Sequence, residues 1–328
     1  MPTPRIAAVH DLSAFGRCSL TVILPTLSAM GVQCCPVVTA YLSTHTGGFA
    51  ANTFLDLTDQ MEPVTAHWQS LGLTFDGVYT GFMGSREQIT RTADFIRTFR
   101  RPDCRIIVDP VMGDHGKPYR TYTPEMCRAM SGLAELADVL TPNATEAALL
   151  LGEDYDAIRL DREADCRYWA QRLSRDGACS VVLKGASLSP ETAGAVCFDR
   201  ESGETTFVSA PLVPGQFHGT GDLFASVLSG ALVRGWSLAA AARLAAEFTS
   251  ACVRRQGTPC REGMDFEPLL WRLGQRAEEG PHAGSDHLRP LRQGHRGAAG
   301  QRTGEAGHPD SPGLDLLFPP GLRRPAGL

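Results

Sequence analysis

Apolar positions along the chain occur in short blocks whose period switches repeatedly between two kinds. Nearly continuous apolar runs at 5–9, 32–42, 105–109, 139–140 and 180–183, with a short one near Val78, predict buried strands. Between them the spacing lengthens to that of amphipathic helices, at 19–30, 64–71, 87–99, 124–136, 145–151 and 164–175. Residues 193–198 and 205–209 predict an antiparallel pair. A last helix at 238–254 keeps Leu238, Ala241, Ala245, Phe248 and Cys252 on one face. Strands alternating with helices imply right-handed crossovers and an α/β fold, with a mostly parallel central sheet covered by helices on both faces.

Polar residues mark the strand ends: Asp11 and Ser13, His45 and Thr46, Gly81 and Phe82, Asp109, Asn143, Lys184. In an open parallel sheet those ends share one edge, where ligands bind. The stretch Gly219-Thr220-Gly221-Asp222-Leu223-Phe224 adds to that edge. It follows a Pro- and Gly-rich run and opens a helix with Phe224, Val227, Leu228, Ala231 and Leu232 at helical spacing. Two glycines at a helix start expose unpaired N–H groups at the positive end of the helix dipole, which suits an anion. Asp222 in the same turn is placed to take a proton from a hydroxyl, or, more plainly, to stabilise the first turn as a cap.

Asp109-Pro110-Val111-Met112-Gly113-Asp114 puts two acids on one strand-end loop, and Asn143 with Glu146 puts an amide and an acid on the next. Hard oxygen donors without Cys or His suit Mg²⁺ shared with phosphates, and the same Asn143/Glu146 spacing suits a helix capping box. Lys184 ends a hydrophobic strand and is positioned to neutralise phosphate or to snorkel. His45 and Thr46 offer hydrogen bonds to a small polar ring, and Phe82 a surface to stack on it. Neither a Walker A pattern nor a G-x-G-x-x-G after the first strand occurs.

Composition narrows the function classes. The 328 residues carry a formal net charge of −5, which argues against nucleic acid as a partner. No apolar run is long enough for a membrane span, and residues 1–10 do not read as a secretory signal. Ten irregularly spaced cysteines read as reduced core thiols, so a cytoplasmic protein is expected. Of 31 basic residues only Lys117 and Lys184 are lysine, which draws attention to Lys184 as a place for a compact ammonium. Seventeen of the last 54 residues are Gly or Pro, so the expectation is a domain over 1–273 and a disordered tail, dispensable for catalysis, over 274–328. His282, His287, His295 and His308 in that tail match no metal-ligand spacing.

Together these residues resemble the ribokinase superfamily, and within it the vitamin B6 kinases. The turn at 219–224 is similar to the anion-hole and base signature of pyridoxal kinases, and residues 109–114 and 141–147 resemble the family's other signatures in the same order. Gly16-Arg17-Cys18-Ser19 and Ser43-Thr44-His45-Thr46-Gly47-Gly48 look like the bacterial pyridoxamine kinase branch. The resemblance implies a ribokinase-like three-layer sandwich and ATP-dependent phosphorylation of the 5′-hydroxymethyl of pyridoxal, pyridoxine or pyridoxamine. It implies Asp222 as base and Gly219, Thr220 and Gly221 as the anion hole. Asp109, Asp114, Thr141 and Lys184 would line the nucleotide side, and Asn143 and Glu146 would organise Mg²⁺. Asp11 or Ser13, with His45, Thr46 and Phe82, would bind the pyridine ring. It also implies a homodimer and leaves a monovalent cation open. Two departures blur the vitamer: His10-Asp11-Leu12-Ser13 replaces the family's early Ser-His pair, and Phe82 stands where Tyr is common. Hydroxymethylpyrimidine kinase of thiamine synthesis, or a non-catalytic B6- or nucleotide-binding paralogue, are the alternatives.

Overall fold

The computed structural model describes residues 2–49 and 51–280. Nine of its strands form one sheet: β1 (Arg5–Phe15), β2 (Gln33–Thr44), β3 (Phe54–Asp56), β4 (Gly77–Thr80), β5 (Arg105–Val108), β8 (Val139–Leu140), β9 (Ser180–Ala186), β10 (Thr192–Phe198) and β11 (Thr205–Pro211). A separate hairpin, β6 (Gly113–Asp114) with β7 (Lys117–Pro118), folds over the end of β5. The sheet order is β11-β10-β9-β8-β5-β4-β1-β2-β3. The six strands from β9 to β2 are parallel; β3 and β10 run against them at the two borders, and the edge strand β11, antiparallel to β10, runs with them again. The chain leaves β1 towards β2 and returns to β4 on the other side, so the strand order reverses at β1/β4. The crevice outside that reversal is where an open sheet binds its ligand.

Helices cover both faces: α1 (Leu20–Ala29), α2 (Thr58–Ser70), α3 (Arg86–Phe99), α4 (Pro124–Ala134), α5 (Ala144–Leu151), α6 (Glu163–Leu173), α7 (Thr220–Val233), α8 (Leu238–Gln256) and α9 (Leu270–Glu279). Strand alternation divides the core. Ile6, Ala8, Tyr79, Ile107 and Val182 pack with α1, α7, α8 and α9, whereas Ala7, Val9, Val78, Ile106, Val108 and Val181 pack with α2 to α6. Leu223, Val227 and Leu228 of α7 are fully buried on the first face, each contributing about 1.5–3 kcal/mol of transfer free energy. That burial fixes where the N-terminus of α7 points.

The α/β architecture and its two helical layers agree with the sequence; several boundaries do not. β1 continues through His10-Asp11-Leu12-Ser13, expected as a loop, to Phe15. Its register with β2 shifts there, so Asp11 opposes two residues, Thr39 and Ala40. α2 begins at Thr58 and carries Pro63 inside it. β9 continues past Lys184 to Ala186. The border expected at 273/274 falls inside α9, where Leu273 and Ala277 are buried and Arg234 donates to the Ala277 carbonyl. The expected tail, with its four histidines, otherwise lies outside the described residues. No helix among those described is long and apolar enough to cross a membrane. All ten cysteines are unpaired.

Candidate active site

α7 starts at Gly219, whose φ of 81° is left-handed and whose Cα lies so close to the Arg17 carbonyl that a Cβ would overlap it. Both features call for glycine. No side chain caps this N-terminus, so its first amides face the sheet edge unpaired. The Thr220 hydroxyl turns back to the Phe217 carbonyl at 3.0 Å, which leaves the Thr220 amide rather than its side chain for an anion.

Asp222 stands in that first turn, half-buried, its Oδ2 accepting the Ser19 backbone N–H at 2.8 Å. Burial pushes its carboxyl up to about 7, the Ser19 N–H opposes this, and the charges of Asp11 and Asp109 add to it. A carboxylate near neutrality at an uncapped helix N-terminus combines a base with an anion cradle.

From the ends of β5, β8 and β9 come the charged groups. The Lys184 ammonium donates to Asp109 Oδ1 at 2.8 Å, both side chains being largely buried. Burial pulls Lys184 down, but Asp109, Glu146 and Asp222 more than reverse this, so it stays charged. Its Nζ lies 3.9 Å from where a Cβ on Gly221 would stand, so it reaches the start of α7. Asn143 and Glu146 form a full capping box on α5: Asn143 Oδ1 accepts the Glu146 N–H at 2.9 Å, and Glu146 Oε2 accepts the Asn143 N–H at 2.8 Å. The Asn143 amide also donates to the Gly113 carbonyl at 3.0 Å. Capping therefore uses most of Asn143 and one oxygen of Glu146, whose carboxyl also meets the Met112 backbone. Burial pushes Glu146 well above the usual carboxylate range; Lys184 opposes this and Asp109 adds to it. Among the described residues no three His, Cys, Asp or Glu side chains are close enough to hold an ion directly. A buried acid already held by backbone N–H groups fits Mg²⁺ held through water and shared with phosphates. Thr141 is fully buried and its hydroxyl has no partner.

The other half of the edge belongs to β1, β2 and two loops. Asp11, 4% exposed, accepts from Ser19 Oγ at 2.6 Å and from Ser13 Oγ at 3.2 Å. His45 is 5% exposed with Nε2 unpartnered, packed edge-on to Phe49 at 5.0 Å and against His218 at 5.3 Å. Burial lowers its pKa, so it is neutral near pH 7. Arg261 lies 5.4 Å over the Phe49 ring. His10 is buried, held neutral by burial with a pKa near 3, and set against Gly81 so tightly that a Cβ there would overlap the imidazole.

Three expected site residues make no hydrogen bond to these groups. Asp114 is exposed on the β6/β7 hairpin and faces His115. Thr46 is exposed. Phe82, half-buried, packs edge-on to Tyr122 at 6.2 Å against the core. Sequence reasoning missed Ser19, His218, Phe49, Arg261 and His10. Of these, His10 and His218 directly precede residues already singled out, and Ser19 closes the 16–19 stretch without having been given a role.

A parallel sheet with a lysine, several buried acids and an uncapped glycine-led helix along one edge defines a ribokinase-like phosphotransferase fold. The sequence profile of the phosphomethylpyrimidine kinase family matches residues 24–267, so the chain belongs to that family. A candidate phosphomethylpyrimidine kinase of Bacteroides thetaiotaomicron VPI-5482, in a crystal form with pyridoxal, is 40% identical with a TM-score of 0.77, covering 83% of this chain and 96% of that one. Pyridoxal kinase of Lactobacillus plantarum is 30% identical with a TM-score of 0.76, covering 85% and 99%. The hydroxymethylpyrimidine/phosphomethylpyrimidine kinase of Rhizobium meliloti is 30% identical over 243 residues, 73% of this chain and 86% of the relative. Against the bifunctional thiamine enzyme of Arabidopsis thaliana the chain is 26% identical and spans 45% of the relative's length.

Proposed function

We propose that the protein transfers the γ-phosphoryl group of ATP to the 5′-hydroxymethyl of a B6 vitamer. The observation that carries this reading is Asp222, raised towards neutrality at the uncapped N-terminus of α7. Its Oδ2 is held by Ser19, which leaves Oδ1 to take the hydroxyl proton as the oxygen attacks. The amides of Gly219, Thr220 and Gly221 receive the negative charge of the moving phosphoryl, and Lys184 stands beside them. Asp109 holds Lys184 in place. Asn143 and Glu146 would hold Mg²⁺ through water, and the ion when bound supplies positive charge to the ATP phosphates. The rest is positioning of two reactants in line. A homodimer and a cytoplasmic setting belong to the same reading.

A pyridine is preferred because the ring side ends in Asp11, a buried carboxylate suited to a basic ring nitrogen, and because the 40%-identical relative was crystallised with pyridoxal. Hydroxymethylpyrimidine is the second reading, supported by the family profile and the Rhizobium relative. The test is ADP release with Mg·ATP and, separately, pyridoxal, pyridoxine, pyridoxamine and hydroxymethylpyrimidine. Turnover of a pyridine is expected. Turnover of the pyrimidine alone moves the same residues to thiamine synthesis, and silence on all four from protein that binds ATP overturns both.

A further inference from the structure

Ser19 sits where a helix N-cap is expected, directly before α1, yet its side chain makes no capping bond. Its hydroxyl instead donates to Asp11 Oδ1 at 2.6 Å, while its backbone N–H donates to Asp222 Oδ2 at 2.8 Å. One residue thus bridges a buried acid and a half-buried one that lie on different elements. It does so in a strained conformation, φ 54° and ψ −133°, a region L-residues rarely adopt.

The surroundings hold it there. The Arg17 N–H donates to the Glu262 carbonyl at 2.7 Å, the Arg17 guanidinium reaches Glu267 at 2.8 Å, and Cys18 N–H reaches Thr21 Oγ1 at 3.2 Å. The Ser19 carbonyl accepts the first amides of α1 from Val22 and Ile23. Glycine would satisfy the same backbone without strain and would keep the N–H to Asp222. What serine adds is the hydroxyl on Asp11.

We propose that Ser19 is a positioning residue that couples Asp222 to Asp11, so that the charge on one acid governs proton release from the other. This rests on the reading of Asp222 as the base. Two like charges joined through one residue in a partly dry site do not ionise independently. Burial pushes the Asp11 carboxyl up, the Ser19 and Ser13 hydroxyls oppose this by favouring its ionised form, and ionised Asp11 makes Asp222 hold its proton to higher pH. The other groups facing Asp222 are Cys18 ahead of α1, Tyr79 on β4, Asp109 beyond β5, Tyr119 in the loop after β7 and Lys184 on β9. Lys184 alone among them opposes protonation.

The test is direct titration of the Asp222 carboxyl in the free, full-length protein, by ¹³C NMR of side-chain-labelled aspartates, assigned by the resonance lost in Asp222→Asn. Ser19→Gly removes the hydroxyl and the strain together; Ser19→Ala removes the hydroxyl and keeps the strain; Asp11→Asn removes the charge. All three are expected to move the Asp222 midpoint to lower pH. Ser19→Gly should also raise the ratio of kcat at pH 6 to kcat at pH 8 by about two- to fivefold, as expected for a base released at lower pH. An Asp222 midpoint unchanged in Ser19→Gly and Asp11→Asn overturns the coupling. A purely structural role would lower Tm in Ser19→Ala and scale turnover equally at every pH, with the midpoint unmoved. Because the titration needs no substrate, its failure is distinct from the failure of the base assignment, which near-normal turnover in Asp222→Asn would reveal.

Discussion

The proposed phosphate half of the site and the proposed ring half are assembled by different means. On the phosphate half, single side chains stand at the ends of β5, β8 and β9 and meet through charge: Lys184 on Asp109, Glu146 buried beside both, α7 aiming its amides at them. On the ring half, contact and shape dominate. His45, Phe49 and His218 pack ring to ring, and Arg261 and Ser19 arrive from distant segments. A charge-built half fails when a charge is removed. A contact-built half fails by losing fit, so the two should respond to substitution in different kinetic constants.

The largest effect is expected at the junction. Asp222→Asn keeps an oxygen for the Ser19 N–H, so the fold survives while kcat falls about 10²–10⁴-fold, the range for loss of a general base. Wild-type kcat should fall as pH drops through about 7, where Asp222 takes up its proton. The stability sign is the reverse. A carboxylate raised above its unfolded value costs the folded state stability in full above about 7, and the cost fades as pH falls towards the unfolded value. Asp222→Asn should therefore raise Tm at pH 8 and do so less at pH 5. Near-normal turnover in this variant would remove the distinction between the halves altogether.

Next comes Lys184→Met, expected to raise the KM for ATP and to lower stability by about 3–5 kcal/mol, because Asp109 is left charged and buried without its partner. Adding Asp109→Asn should restore much of the stability, read by urea denaturation, and none of the ATP affinity. A double variant that regains both would mean the pair is structural and the phosphate half is not charge-built.

The same contrast explains what was legible in the sequence. Residues of the phosphate half announce themselves locally, as an acid or lysine ending an apolar run or as glycines opening a helix, so Asp109, Lys184, Glu146, Gly219 and Asp222 could be read one at a time. The capping box on α5 was legible for the same reason. Ser19, His218 and Arg261 owe their roles to partners more than 150 residues away or on separate loops, and periodicity carries no trace of that. The polar run from His10 to Ser13 read as loop because buried strands are normally apolar; it is strand because the site itself buries those residues. β3, β6 and β7 are too short to show a period, and α2, expected from residue 64, begins at Thr58 and carries Pro63 inside it at the cost of one backbone bond.

On the ring half, His45→Phe keeps the packing against Phe49 and His218 but removes Nε2, a buried atom with no protein partner. Stability should change little, since losing the unpaired polar atom offsets losing the ring's hydrogen bond to the Arg261 backbone. If Nε2 meets the hydroxyl substrate, its KM rises about tenfold, with the KM for ATP unmoved. A change in the ATP constant instead would place His45 on the wrong half.

Thr141→Val is the matching experiment on the phosphate half and the smallest effect expected. Thr141 is fully buried and its hydroxyl is unpaired, so valine of similar shape should leave the free protein as stable or slightly more so. The informative quantity is the difference between free and nucleotide-bound protein. If ATP supplies the missing partner, the Tm gain on adding ATP shrinks and the KM for ATP rises about three- to tenfold, the worth of one neutral hydrogen bond. If the gain is unchanged, the hydroxyl is an unsatisfied core group and the nucleotide half ends at Asp109 and Lys184. Paired with His45→Phe, each substitution should disturb one substrate constant and spare the other, which is the pattern two separately built halves require.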